Sequence, residues 1–141
     1  MEKRKPKATD FVLTPPEPAR PPEPIDRIVA AAMAAHESNR AYCAAIGDPI
    51  QPHWDDADED TRKSMIAGVW GVLRGNTPEM SHARWMEVRL AAGWTVGPVK
   101  DEASRQHPNL IPYRDLPAAQ RHKDWLFVTV VKAILDCIEA A

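Results

Sequence analysis

The stretch "AAAMAAHESNRAYCAAIGD", Ala30 to Asp48, decides the fold class of this chain. Alanine has the highest helix propensity, and a glycine followed by a proline is typical of a helix end. Gly47 and Pro49 supply that end. Around this stretch, one helix face carries residues 25, 28, 29, 32, 36, 40 and 43 at the three-four spacing of an α-helix. The sequence therefore predicts a first helix over about residues 25 to 46.

Polar residues interrupt the apolar face of this helix. His36 and Arg40 continue the face that begins at Ile25 and Ile28, so both side chains are predicted to point toward the core. An unpaired buried charge is costly, so Arg40 needs an anion beside it. Glu37, Asp124 and the phosphate of a ligand are the candidates. Two interpretations stay open: a satisfied structural network, or a polar cleft that receives an anionic ligand.

Three further helices follow from start and stop signals. The acidic run "DDADEDT" precedes an apolar stripe that ends at Gly75, and "NTPEM" places Thr77 as the N-cap of a third helix that ends at Gly93. Pro117 opens a fourth helix, whose buried face includes Asp124. The segment "GWTVGPVKD" alternates briefly. We therefore expect a mainly α fold, a small bundle of about four helices with a short β element or hairpin between helices three and four.

The first 24 residues differ in composition from the rest. They hold seven of the fourteen prolines and almost no periodic apolar residues. Such a segment buries too little surface to offset its ordering entropy, so we expect residues 1–24 to form a disordered Pro-rich arm. It would serve either as a polyproline ligand for a partner or as a spacer. Residues 25–141 are expected to form one helical domain.

Overall charge and cysteine usage exclude several functional classes. A net charge of -2, from 18 basic and 20 acidic residues, provides no electrostatic footprint for a nucleic acid polymer or an anionic membrane. The chain has no apolar stretch near the roughly 18 residues that span a bilayer. Two cysteines without a signal-peptide pattern indicate free thiols in a reducing compartment. We expect a cytoplasmic protein.

Motifs for metal binding and catalysis are incomplete. "HESNR" begins like a zinc-protease motif, but Arg40 occupies the position of the required second histidine. "GWTVGPVK" lacks the length and the trailing hydroxyl of a phosphate-binding loop, and the chain has no recognisable nucleophile motif. We expect no enzyme activity, metal or cofactor. A nucleotide hydrolase stays an alternative because histidines and carboxylates are present.

The aromatic composition favours ring binding as one hypothesis. Five tryptophans stand against two phenylalanines and two tyrosines, and Trp54 and Trp94 lie in or beside loops. These rings either fill gaps between helices or stack on a flat ligand ring. Lys100 and Tyr113 lie in the neighbouring loops, where ligand contacts are common.

Five blocks in sequence order resemble the ryanodine-receptor repeat, the RyR domain. They are "HESNRAYC", Trp54, "TPEMSHARW", "GWTVGPVKD" and "HPNLIPYRDLPAAQRHKDWLF", and the resemblance spans about residues 26 to 131. It implies a mainly helical fold with a small strand element and a role in ligand binding or docking rather than catalysis. In size the chain is similar to the short stand-alone bacterial and phage forms. Val96 departs from the family pattern, which usually has tyrosine there.

The resemblance implies an adenine or signalling nucleotide as ligand. Arg40 and Lys100 would meet phosphate, Trp94 or Tyr113 would stack on the base, and the polar groups of helices one and three would bond the base edge or the sugar. The candidate ligand-binding residues are His36, Asn39, Arg40, His82, Trp94, Lys100 and Tyr113, supported by a structural network of Glu37, Trp85 and Asp124. Because the chain has one repeat, a site between paired repeats would require a homodimer. The alternative function is a protein-protein interaction module with a purely structural polar core, whose Pro-rich arm recruits a partner.

Overall fold

A computed structural model describes residues 26–140, which form four α-helices. Helix α1 spans Arg27–Ile46, α2 spans Glu59–Leu73, α3 spans Pro78–Ala91 and α4 spans Ala118–Ala140. Two short 3-10 turns, Trp54–Asp56 and Tyr113–Asp115, precede α2 and α4. The prediction of four helices is confirmed. The arm predicted over residues 1–24 lies outside the described residues.

Local capping groups fix where these helices begin. The side chain of Asp26 accepts hydrogen bonds from the first turn of α1, Asp58 Oδ1 accepts from the Thr61 amide at 2.7 Å, and Thr77 Oγ1 accepts from the Met80 amide at 3.3 Å. Each bond satisfies an amide that has no partner inside the helix. At the other end of α1, Gly47 adopts a left-handed φ of 77°, as a glycine C-cap requires.

The core lies where α1 packs against α4, which is the most extensive contact between helices. Alanines on the inner face of α1 allow the two helices to approach closely, and α2 covers the same core from the side. The buried residues of this core cluster are Ile28, Ala31, Ala32, Ala35, Trp54, Val69, Val72, Val128, Val131 and Leu135. This core holds α1, α2 and α4 as one unit.

The short β element predicted between helices three and four is wrong. Within residues 26–140 the chain has no strand, and the segment after α3 contains only isolated bridges, which join Gln106 to Thr95 and to Asp101. Pro98 has no amide hydrogen to extend a ladder. The backbone at Gly97 packs closely on Gln106, because a Cβ at Gly97 would lie 2.6 Å from Gln106 Oε1. The segment therefore turns back on itself without forming a hairpin.

Helix α3 is attached differently from the other three. It packs on α4 and only lightly on α2, while α1 and α4 form the main contact. The segment that follows α3 crosses back over it, because His82 of α3 bonds to the carbonyl of Ile111. This arrangement leaves a space between α3 and the three-helix core.

Candidate functional site

The space between α3 and the core is a cavity of about 200 Å³. All four helices contribute to its wall, together with the segment between α3 and α4. The polar and charged residues that line it are His36, Asn39, Gln51, Thr61, Ser64, Ser81, His82, Arg84, Arg89, His107, Asn109, Gln120, Lys123 and Asp124, and the apolar ones include Met65, Trp85, Leu116, Leu126 and Phe127. The wall of this cavity therefore combines many polar side chains with an apolar surface.

Three of the predicted ligand-binding residues border this cavity. His36 and Asn39 come from α1, and His82 comes from α3. Each histidine is already held by the backbone: His36 Nε2 lies 2.7 Å from the Pro52 carbonyl and His82 Nε2 lies 2.8 Å from the Ile111 carbonyl. A carbonyl oxygen only accepts, so both Nε2 atoms donate, and in the neutral rings each Nδ1 carries the lone pair.

Arg40 is half-buried against the segment between α1 and α2 and does not line the cavity. Its Nη1 lies 2.6 Å from Glu37 Oε2, and its Nε donates to the carbonyl of Gln51 at 2.9 Å. Glu37 Oε1 in turn accepts the Trp54 amide at 2.9 Å. Of the anions considered for Arg40, the structure therefore supplies Glu37, and this cluster anchors the segment between α1 and α2.

Aromatic rings form one wall of the cavity. His82 and Trp85 are stacked with ring centroids 5.5 Å apart, and the Trp85 and His107 rings meet edge to face at 4.9 Å. The predicted stacking residues contact the rings of this wall but do not line the cavity. The ring centroids of Trp94 and His107 are 6.5 Å apart, and those of Tyr113 and His82 are 6.1 Å apart. Trp94 and Tyr113 therefore support the wall rather than line the cavity.

Cations outnumber carboxyl groups on the cavity wall. Lys123 is neutralised by Asp48, whose Oδ2 lies 2.8 Å from Nζ, and Arg84 Nη2 donates to the carbonyl of Ser64 at 3.1 Å. The guanidinium of Arg89 lies over the Trp94 ring, 5.0 Å from its centroid. Within residues 26–140, neither Arg84 nor Arg89 forms an ion pair with a carboxylate. Two guanidinium groups on the wall are therefore available to an anion.

Two lining residues have strongly shifted pKa values. Burial lowers the pKa of His107 to about 4, and nearby cations, Lys100 first among them, act in the same direction. Burial raises the pKa of Asp124 to about 7, against the opposing effect of Lys123. His107 is therefore neutral at pH 7, and Asp124 is close to half protonated. The nearest histidine atom to Asp124 is His82 Nδ1, 3.7 Å from Oδ2.

Lys100, predicted to contact phosphate, lies outside the cavity wall and pairs with Glu102 at 3.5 Å. The cations that do line the cavity, Arg84, Arg89 and Lys123, were not among the sequence candidates. Arg89 could have been predicted as a lining residue, because it follows His82 and Trp85 at helical spacing on α3. Arg84 does not share this spacing, so the sequence pattern did not indicate it.

Over residues 26–140, no group of three or more histidine, cysteine, aspartate or glutamate side chains is placed to hold a metal ion. No helix in that range has the length and apolar character needed to cross a membrane. Cys43 is buried and Cys137 is exposed, and both are free thiols.

The chain also matches a known protein family. The family model of the RyR domain matches residues 59–137, which is more than half of the chain. The matched region runs from the start of α2 into α4 and contains most of the cavity wall, including the three cations Arg84, Arg89 and Lys123. The "HESNRAYC" block of α1 precedes the matched residues. The chain is a member of the RyR domain family.

Proposed function

We propose that this RyR domain is a non-enzymatic ligand-binding module whose cavity receives a small anion that carries a flat ring, an adenine or signalling nucleotide. The observation that carries the proposal is the pair of guanidinium groups on the cavity wall, Arg84 and Arg89, which form no ion pair within residues 26–140. Guanidinium groups bind phosphate through charge-assisted hydrogen bonds. An anion at this wall would gain partners without displacing an internal carboxylate.

The aromatic wall supports a ring-containing ligand. His82, Trp85 and Phe127 provide flat apolar surface beside the two arginines. Base rings pack favourably on such surfaces. A volume of about 200 Å³ lies below the roughly 300–1,000 Å³ of drug-sized pockets. The cavity is therefore suited to one ring system, with the remainder of the ligand near its mouth.

The absence of an activated nucleophile supports binding rather than catalysis. Ser64 and Ser81 line the cavity, but within the described residues no hydrogen bond joins a serine or threonine hydroxyl to a histidine. Nucleophilic catalysis by a hydroxyl needs such a base. His36 and His82 both use Nε2 to hold a backbone carbonyl.

Replacement of the unpaired arginines tests this function. We expect Arg84→Gln and Arg89→Gln each to weaken binding of adenosine monophosphate about tenfold or more, the usual loss for a charge-assisted hydrogen bond. Isothermal calorimetry on the full chain is the measurement. Arg74→Gln, at an exposed arginine outside the cavity, is the matched control and should bind like the wild type. Heat signals that are flat for mono-, di- and cyclic nucleotides would remove the proposal.

A second candidate function, protein-protein interaction, is favoured by one surface feature. Trp125 on α4 is 57% exposed and lies beside Tyr42, His122 and Thr129 in a shallow groove. Exposed tryptophan is enriched at protein interfaces. If this surface joins two copies of the chain, sedimentation at rising concentration should reveal a dimer that Trp125→Glu abolishes. A monomer at all concentrations would argue against that assembly.

A further inference from the structure

Within the described part of the chain, the carboxyl group of Asp124 lines the cavity without a direct hydrogen bond. Its side chain is 18% exposed, and no hydrogen bond from another side chain or from the backbone reaches it within residues 26–140. Its closest ionisable neighbour is His82 Nδ1, 3.7 Å from Oδ2, which is beyond hydrogen-bond distance. The carboxyl is partly exposed to the cavity and its oxygens have no protein donor among the described residues, so a ligand in the cavity can bond to it without displacing an internal partner.

Burial is the main influence on the protonation of this carboxyl, and it raises the pKa of Asp124 to about 7. His82 Nε2 donates to the Ile111 carbonyl, so the ring atom of His82 that faces Asp124 is Nδ1. In the Nε2–H tautomer, Nδ1 is an acceptor.

Within residues 26–140, six charged or titratable side chains share the cavity wall with Asp124. Helix α2 contributes only uncharged side chains to the wall. The other elements contribute His36 from α1, His82, Arg84 and Arg89 from α3, His107 from the connecting segment and Lys123 from α4. Lys123 is engaged by Asp48 at 2.8 Å. No carboxylate other than Asp124 lines the cavity within the described residues.

Resting on the function proposed above, we propose that Asp124 determines ligand specificity: its carboxylic acid binds the edge of a flat heterocycle that presents an N–H donor beside a ring-nitrogen acceptor. The acid O–H donates to the ring nitrogen, and the carbonyl oxygen accepts the N–H, so two hydrogen bonds form side by side. The edge of adenine has this pattern. Two adjacent N–H donors, as on guanine, match a carboxylate instead.

This assignment predicts base selectivity with a defined pH dependence. A site that pairs with one edge rejects an edge that leaves its polar groups unpaired, since such mismatches are costly. The acid form is lost as the pH rises through about 7. Affinity for adenine should therefore fall above that pH, by at most about tenfold per pH unit if only the acid form binds.

The decisive variants are Asp124→Asn and Asp124→Leu. An asparagine amide also presents a donor beside an acceptor, as in its two-bond contact with adenine, but it does not titrate. Leucine is similar in size to aspartate, but its side chain has neither a hydrogen-bond donor nor an acceptor. Asp136→Asn makes the same change at an exposed position of α4 and serves as the control. Circular dichroism checks that each variant retains the helical fold.

Calorimetry compares adenosine and guanosine monophosphate on the full chain between pH 6 and 8.5. We expect the wild type to prefer the adenine nucleotide about tenfold or more at pH 6, and to lose affinity for it above pH 7. Asp124→Asn should keep the preference and lose the part of the pH dependence due to Asp124. Asp124→Leu should bind about tenfold more weakly, and Asp136→Asn should match the wild type. Titration of the ligand phosphate is common to the wild type and Asp124→Asn, so it cancels in their comparison.

Equal affinity for the two nucleotides, or identical pH profiles for the wild type and Asp124→Asn, would overturn this inference. If Asp124→Leu does not fold, the comparison of the wild type with Asp124→Asn still tests the role of Asp124. Binding that needs Arg84 but ignores both substitutions of Asp124 would contradict the specificity role alone and leave the proposed function standing. Binding of neither nucleotide to any form of the chain would contradict both.

Discussion

Single histidines connect the loops of this protein to its helices. His36 is 1% exposed and His82 is 3% exposed, and each donates from Nε2 to a carbonyl in the segment that crosses it. Their placement on inward faces of α1 and α3 could be predicted from helical spacing. Their partners, Pro52 and Ile111, could not, because the contacts depend on how irregular segments return to the helices.

His107 provides a prediction at the residue scale. Burial and neighbouring cations lower its pKa from 6.5 to about 4. The unfolded chain therefore takes up this proton at higher pH than the folded chain does. The contribution to stability is complete above pH 6.5 and is lost as the pH falls toward 4, with a size on the order of 2 kcal/mol after allowance for solvent screening.

The measurement for His107 is an NMR titration of its ring, assigned with the variant His107→Gln. The ring should stay neutral down to about pH 4, and urea unfolding of His107→Gln should lose part of the decline in stability below pH 6.5. A ring that titrates near 6.5 would contradict the burial of His107 beside cations.

At the scale of elements, the helices were predictable because their signals are local. Thr77 and Pro78 at the start of α3, and Gly47 at the end of α1, act through hydrogen bonds and backbone angles within a few residues. The predicted strand failed for the opposite reason. Alternation in "GWTVGPVKD" is a local pattern, but a strand needs a partner ladder, and Pro98, which follows the Gly97 amide bonded to His107, has no amide hydrogen to extend one.

The acidic run before α2 gives a prediction at this scale. The run marks the helix start in the sequence, but only the structure identifies Asp58 as the cap, with its Oδ1 2.7 Å from the Thr61 amide. We expect Asp58→Ala to lower the free energy of unfolding by about 1 kcal/mol. Asp60→Ala removes an exposed acid of the same turn and should lose less, since only its interaction with the helix dipole is removed. Urea denaturation compares the two, and equal losses would show that charge rather than capping matters here.

At the scale of the whole molecule, the cavity is a property of tertiary packing. Its wall combines α1, α2, α3, α4 and the segment before α4, so no single stretch of sequence encodes it. Helical spacing placed His36, His82 and Asp124 on inward faces, and all three border the cavity. Helical spacing gave no means to tell Arg40, which pairs with Glu37 outside the cavity wall, from Arg84, which lines it. Side chains of the same type were distinguishable only by their three-dimensional neighbours.

The proposed nucleotide site lies in the cavity of this RyR domain. The tryptophans offer an internal test of it, because Trp85 lines the cavity whereas Trp70 and Trp125 are exposed elsewhere on the surface.

The most direct measurement is an NMR titration of the indole N–H signals of the full chain with adenosine monophosphate, assigned by single Trp→Phe variants. We expect a saturable shift of the Trp85 signal while the Trp70 and Trp125 signals stay in place. A Trp85 signal that does not move at millimolar nucleotide, or a response confined to Trp125, would contradict nucleotide binding in this cavity.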